Sequence, residues 1–472
     1  MTLGGLVSRQ NLDDVALFVD GGLDVSYGML HSEIQRFAEK IFKGALVFLL
    51  GGNDRESIIF YLSCLEKGAV PLLLAKDISL GPLKKLIETY KPNYLFKIPN
   101  GDAAEDGYSL AWQECGYGLF HNDASLSHTI HPDLALLLAT SGSTGSVKLV
   151  RLTFKNLVSN AVSISQYLKI TAAETAITSL PFNYSYGLSI INSHLFSGAS
   201  IALTNRSLLD AGFWKLINEL KVTSLAGVPY SYEMLLKLRL ERLKMPTIKT
   251  LTQAGGRLDP LKVKKVAEFC LANEMRFFTM YGQTEATARI SFMPLEDVLK
   301  RPNSIGKAIP NGLLRIEDGD GQSVEASGVV GELIYEGPNV SMGYAECLDD
   351  LKLGDVFKGT LRTGDLASFD DAGYFYIDGR IQRFLKIFGV RISLDAVERL
   401  LIDKGVEGAA YGADDLLTIS VVNLPSDKCE ELHMLFATTL GIHHSGVRVR
   451  TISELPRLVN GKVDYQCLSQ ST

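Results

Sequence analysis

"LLLATSGSTGSVKLVRLTF", residues 136–154, sets the reading of the whole chain. An apolar run stops at Thr140. Ser141, Gly142, Ser143, Thr144, Gly145 and Ser146 follow, then Lys148 and a second apolar run. Such a loop has almost nothing to pack. Its glycines let backbone N–H groups turn toward a polyanion, its hydroxyls donate to oxygens, and its lysine adds charge. A Walker loop requires GxxxxGK followed by Ser or Thr. Here only two residues separate Gly142 from Gly145, and Leu149 follows Lys148. The Walker pattern therefore fails, and the loop alone leaves phosphate binding and a plain strand-to-strand turn both open.

The flanking sequence supplies the scaffold. "ALVFLLGG" (45–52) and "AVPLLLAK" (69–76) are continuous apolar runs between amphipathic stretches such as "SYGMLHSEIQRFAEKIFK" (26–43) and "RESIIFYLSCLEKG" (55–68). Apolar strands alternating with amphipathic helices predict a parallel-rich sheet covered on both faces. The same rhythm continues through "FWKLINELK" and "KVKKVAEFCLANEMRFFTMYG". From about residue 305 the texture changes to short alternating strands with "DGDG" turns, a small β-rich subdomain. Beyond "YIDGR" (376–380) lies a compact α+β unit ending in "LPRLVNGKV" (455–463). The expected organisation is an α/β N-terminal domain, 1–380, and a small C-terminal domain, 381–472.

A chain of 472 residues exceeds one core, and a net charge of −6 gives no general attraction to nucleic acid. The N-terminus lacks a signal-peptide pattern, and no apolar run approaches the ~20 residues of a membrane span. Six cysteines are scattered without CxxC or metal spacing. A reducing, cytoplasmic setting is expected. The histidines form no metal or triad spacing.

With "TSGSTGSVK" (140–148) stand further motifs in order: "LPFNYSYGL" (180–188), "AGGRLDP" (254–260), "MYGQTEA" (280–286), "GELIYEGPNVSMGY" (331–344), "RTGDLASFDDAGYFYIDGR" (362–380) and "LPRLVNGKV". Together they resemble the AMP-forming acyl-adenylating enzymes: acyl-CoA synthetases, luciferases and peptide-synthetase adenylation domains. The resemblance runs from about residue 134 nearly to the end. It implies an adenylation domain and a mobile C-terminal domain that brings in the catalytic lysine.

It also implies roles. Thr140, Ser141, Gly142, Ser143, Thr144, Gly145 and Lys148 would hold phosphate. Thr284 and Glu285 would serve the reacting phosphate and Mg²⁺, with Glu285 the metal ligand. Tyr281, Gly255 and Gly256 would flank adenine, Asp365 would accept the ribose hydroxyls, and Arg380 would serve ribose or phosphate. Lys462 would bridge the acid and the α-phosphate, and Gln382 would be the hinge. The acyl pocket would draw on Asn183, Tyr184, Tyr186, Gly187, Ala226, Gly227 and Val228, a neutral lining with no partner for an ammonium group.

Departures matter. Gln382 stands where the family usually has Asp or Lys, and Tyr184 where many acyl-CoA synthetases carry a gating histidine. Asn183 replaces the aspartate of amino-acid-activating domains, which argues against an α-amino acid substrate. Phe154 replaces a common histidine.

The function implied is a ligase that joins a carboxylic acid to a thiol through an acyl-adenylate, using MgATP. The thiol is CoA, or the phosphopantetheine of an acyl carrier protein. Arg448, Arg450, Arg457 and Lys462 could meet CoA phosphates or an acidic carrier, and "KIFGVRIS" (386–393) would face the nucleophile. A nucleotide-binding protein without turnover and a luciferase-like oxidase are the alternatives. Intact Lys462, Glu285 and Asp365 disfavour the former, and no residue pattern favours the latter.

Overall fold

The computed structural model describes residues 5–99, 107–124, 127–139, 148–381, 383–458 and 461–470. The phosphate-loop residues Thr140 to Gly145 and the hinge Gln382 lie outside this set.

The apolar runs become sheet strands. Leu46–Gly51 is buried along its whole length and pairs in parallel with Val70–Ala75. Side chains alternate across a strand. Val47 and Leu49 accordingly point into one core, while Leu46, Phe48 and Leu50 point into another on the opposite face. Both faces are covered, so the run has no polar side. The helix Arg55–Lys67 begins where Asp54 accepts the Ser57 N–H at 2.9 Å and ends at Gly68, φ +73°. That left-handed C-terminal residue is why glycine closes this helix.

Five layers result. An eight-stranded sheet and a nine-stranded sheet sandwich the helices Tyr27–Ala38, Arg55–Lys67, Phe154–Leu168 and Ser185–Phe196, whose buried faces form the largest core. The helix Leu80–Tyr90 covers the outside of the first sheet, and Ala211–Glu219, Pro229–Lys237 and Pro260–Ala272 cover the second. Ser185–Phe196 is buried on nearly every side, so its sequence shows little amphipathic contrast. A four-stranded antiparallel sheet spans residues 313–380, matching the β-rich subdomain.

Two features depart from the parallel expectation. The first sheet is mixed: Tyr108–Glu114 and Tyr117–Asn122 form a hairpin that adds two antiparallel strands at one edge. Its turn places Cys115 at φ +49° and Gly116 at φ +80°, and the strain of a left-handed cysteine hides the turn from sequence signals. Leu134–Ala139 and Leu149–Thr153 also pair antiparallel, with Ala139 opposite Leu149, so the opening loop joins two neighbouring strands.

From Leu385 onward the chain builds its own core. A hairpin (Phe384–Ile387 and Val390–Ser393), a three-stranded sheet and the helices Leu394–Asp403 and Ser426–Leu440 surround Val397, Ile419 and Phe436. All six cysteines are free. Among the described residues no helix is long and apolar enough to cross a membrane, and no three His, Cys, Asp or Glu residues group as a metal site.

Candidate active site

Four adjacent parallel strands of the nine-stranded sheet end on one rim: Thr175–Ile177, Ser224–Gly227, Thr250–Gln253 and Arg276–Tyr281. In open α/β sheets ligands bind outside the carboxyl ends of strands. Asn183 and Tyr184 follow the first strand, Val228 the second, Gly255 and Gly256 the third, and Gly282 to Glu285 the fourth. Residues spread over a hundred positions thereby share one rim.

Gly255 has φ +84°, and a Cβ there would meet the Tyr184 hydroxyl at 2.6 Å and Val228 at 3.1 Å. Glycine is required both by the backbone conformation and by this close approach. Gly187 and Gly227 are tight for a different reason. A Cβ would fall 2.2 Å from the Pro181 carbonyl oxygen in one case and 2.9 Å from Ser231 in the other. Their role is close packing beneath the pocket. Tyr186 is buried too, its hydroxyl 2.9 Å from both the carbonyl and the hydroxyl oxygens of Thr252, with Tyr184 edge-on to its ring at 6.3 Å.

On the nucleotide side Asp365 is the hub. Antiparallel pairing sets it opposite Arg380, whose Nε donates to Oδ1 at 2.9 Å. Oδ2 accepts from the Tyr281 hydroxyl and from Gln283 Nε2 at 3.0 Å. Burial, together with the Asp365 charge, holds the Tyr281 phenol well above its ordinary pKa. Asp365 is only 2 % exposed, and its three donors orient both oxygens. Sequence reasoning missed Gln283, the variable position of "YGQTE".

Glu285 Oε1 accepts the Tyr344 hydroxyl at 2.8 Å, and Thr284 Oγ1 lies 3.1 Å from Ser185 Oγ. Lys148 bridges to Glu346 at 2.9 Å and stands 5.7 Å above the Tyr344 ring. The loop from Thr284 is fixed from behind by Asn339. Its amide donates to the carbonyls of Ala286 and Arg289, each at 2.7 Å, and Ser341 N–H donates to the Glu285 carbonyl at 2.8 Å. Asn339 lies inside "GELIYEGPNVSMGY", so that motif acts by positioning the loop.

Gly282 anchors the turn. A Cβ there would sit 1.8 Å from the Ala288 carbonyl oxygen. Gly282→Ala should lower folding stability by about 1–3 kcal/mol through enforced backbone movement. Denaturant titration checks this, and an unchanged midpoint would contradict the packing described.

Lys462 arrives from the far end of the chain. Its turn is closed by Leu458 N–H to the Lys462 carbonyl and Gly461 N–H to the Leu458 carbonyl, both 2.8 Å. Gly461 lies against Val228, where a Cβ would approach to 2.8 Å, and Arg457 stacks over Tyr230 at 5.1 Å with Glu233 at 3.8 Å. Lys462 is reached by solvent but enclosed by the cleft walls. That enclosure, reinforced by Arg380, lowers its pKa, while Glu285 and Asp365 act in the opposite direction. The structure thus brings together Lys462, Glu285, Asp365 and Arg380.

One expectation changes. Arg450 donates to Ser420 and the Leu468 carbonyl, both 2.9 Å, and Arg457 faces Tyr230, so with exposed Arg448 they do not form one open basic patch. Sequence reasoning also passed over Arg289, which is 2 % exposed and packs its guanidinium 4.1 Å from the Tyr186 ring centroid. Its position, just beyond "YGQTEA" in a strand-like run, gave no signal that it turns inward.

The model of the AMP-binding enzyme family matches residues 7–345. A sulfoacetate–CoA ligase of Cupriavidus necator is 32 % identical over 360 residues, covering 73 % of this chain and 68 % of that protein. An oxalate–CoA ligase of Arabidopsis thaliana is 26 % identical over 510 residues, covering 99 % and 98 %. Among solved structures, the O-succinylbenzoate coenzyme A synthetase of Bacillus subtilis in complex with AMP superposes with TM-score 0.77 at 23 % identity, covering 98 % of this chain and 95 % of that one. ATP-bound MatB of Rhodopseudomonas palustris gives 0.78 at 22 % identity, covering 98 % and 97 %. With the motifs, the rim and the family match in agreement, the chain belongs to the AMP-binding enzymes.

Proposed function

We propose that this protein is an AMP-forming acid–thiol ligase that activates a carboxylic acid with MgATP and passes the acyl group to CoA. The observation that carries the reading is that Lys462 lies near enough to Glu285, Asp365 and Arg380 for their charges to act on its ammonium group. A lysine from the far end of the chain is thereby set near two carboxylates and an arginine of the kind nucleotide chemistry uses. The names of the relatives, CoA ligases for oxalate and sulfoacetate, agree with it.

In this reading Asp365 accepts the ribose hydroxyls, since Tyr281, Gln283 and Arg380 already orient its oxygens. Glu285 suits a hard cation: Tyr344 holds Oε1, and Oε2 has no hydrogen-bond partner among the described residues. Mg²⁺ there would draw charge from the phosphate oxygens. Thr284 donates to the α-phosphate, and Lys148 with the 140–145 loop receives the pyrophosphate. Lys462 stabilises the negative charge that develops as carboxylate and phosphate meet. The C-terminal domain, 381–472, carries Lys462 in for adenylation and turns about Gln382 for thiol attack.

Exchange of labelled pyrophosphate into ATP across aliphatic, aromatic and amino acids tests the first half-reaction. Des-amino acids should support exchange, and α-amino acids of matched size should be poor, because Asn183 offers an ammonium no charge. No exchange with any acid would refute adenylation. AMP release from trapped acyl-adenylate should follow addition of CoA, and release with a pantetheinylated carrier alone would make the acceptor a carrier protein.

A further inference from the structure

Ser185 opens the helix Ser185–Phe196, and its hydroxyl lies 3.1 Å from that of Thr284. Among the described residues no other side chain hydrogen-bonds to Thr284 Oγ1. Behind Ser185, between its helix and Phe154–Leu168, is a cavity of about 10 Å³, room for one water molecule. Five polar residues line it: Asn160, Ser185, Ser189, Asn192 and Thr287.

Most of their protons are already committed. Ser189 Oγ donates to the Tyr186 carbonyl at 2.7 Å and Thr287 Oγ1 to the Asn339 carbonyl at 2.6 Å, while the Asn192 amide meets the Tyr61 hydroxyl at 3.2 Å. Asn160 is the exception. It is 2 % exposed, and its Nδ2 has no hydrogen-bond partner. An unpaired buried amide donor is costly. A buried water needs several polar partners, and the lining supplies this donor together with hydroxyl oxygens that have lone pairs to spare.

We propose that Ser185 is a positioning residue for the Thr284 hydroxyl, oriented by one internal water that Asn160 holds. This rests on the ligase reading, in which Thr284 donates to the α-phosphate. A hydroxyl has one proton. If that of Thr284 points at phosphate, its oxygen accepts from Ser185, and the Ser185 oxygen is left to accept in turn. An amide nitrogen can only donate, so the water accepts from Asn160 and gives one proton to Ser185. Its second proton goes to Ser189 or Thr287, whose own protons are spent. Every bond then runs the same way, from Asn160 through the water and Ser185 to Thr284, and bonds aligned in this sense strengthen one another. Thr287 closes the turn that carries Thr284, its N–H donating to the Thr284 carbonyl at 2.9 Å, so the cavity lies against both ends of that turn.

A kinetic cycle and a crystal structure test this together. Ser185→Ala should lower kcat for pyrophosphate release ~3- to 10-fold. The KM for ATP and the affinity for a non-hydrolysable ATP analogue should stay within about two-fold of wild type, since the lost bond orients a group that acts in the transition state. Ser185→Thr keeps the hydroxyl and should restore the rate. On a Thr284→Val background Ser185→Ala should cost nothing further, because the bond it removes is already gone. Asn160→Leu should also lower kcat, and should add nothing to Ser185→Ala. Crystals should show one ordered water within hydrogen-bond distance of Asn160 Nδ2 and Ser185 Oγ. Wild-type kcat in Ser185→Ala, or an equal loss with and without the Thr284 hydroxyl, would overturn the role of Ser185. Full activity in Asn160→Leu, or a dry cavity, would overturn the water link, and should the leucine variant not fold, the crystal density decides. If wild type releases no pyrophosphate with any acid, the ligase reading falls and the catalytic role of Ser185 with it, whereas the water is still read from the crystal.

Discussion

Lys462→Ala should lose acyl-adenylate formation by on the order of 10²- to 10³-fold while binding an ATP analogue nearly as wild type does. A contact made chiefly in the transition state changes the rate and spares ground-state affinity. The position of Lys462 supports that split. It stands in a loop laid against Val228, while the hydrogen-bonded pair Asp365 and Tyr281, the proposed nucleotide contacts, is held together without it. Thioester formation from supplied acyl-adenylate should survive. Its protonation adds a second signature. Enclosure and Arg380 lower the pKa, so the ammonium form, the one that stabilises the developing anion, is lost as pH rises through a value below the ordinary lysine range. The alkaline limb of adenylation should reflect this and vanish in the alanine variant. Adenylate made at near wild-type rate by that variant would contradict the assigned role.

Asp365→Ala should weaken nucleotide binding by on the order of 10²-fold or more, since two hydrogen bonds from ribose to a charged acceptor would go at about 1.5–3 kcal/mol each. Stability should fall as well. Tyr281 would be left as an enclosed donor, at about 1–3 kcal/mol, whereas Gln283 would keep the Thr363 carbonyl. Arg380 should suffer less, because its side chain is 55 % exposed and water can replace the carboxylate. Calorimetry with an ATP analogue and a denaturant midpoint separate the two effects. Affinity within a few-fold of wild type would remove Asp365 from the ribose site.

What was legible in the sequence had a local cause. Apolar strands, the Gly68 cap and the motif glycines follow from periodicity or from a backbone requirement within a few residues. The glycine-rich loop gave a composition signal, the hinge expected at Gln382 came from the resemblance alone, and both lie outside the described residues. What stayed hidden depends on distant partners. Asn339 reads as an ordinary turn residue until its amide meets Ala286 and Arg289, some fifty positions away. Arg289 follows three small residues, and nothing nearby reports that the loop carrying it turns toward Tyr186. The Cys115 turn escaped because its left-handed residue is one that seldom takes that conformation.

Among the described residues the seat of the Lys462 loop is formed by Gly461 on Val228, and by Arg457 over Tyr230 and near Glu233. As a contact between separate molecules so small a surface would scarcely hold. The two sides are joined by one polypeptide, however, and a short tether sets an effective concentration in the mM range. Weak docking is then enough to fill the seat and slight enough to be given up on every turnover. Cut the chain at the junction, and the fragment bearing Lys462 would have to be supplied at roughly such concentrations to restore activity in trans.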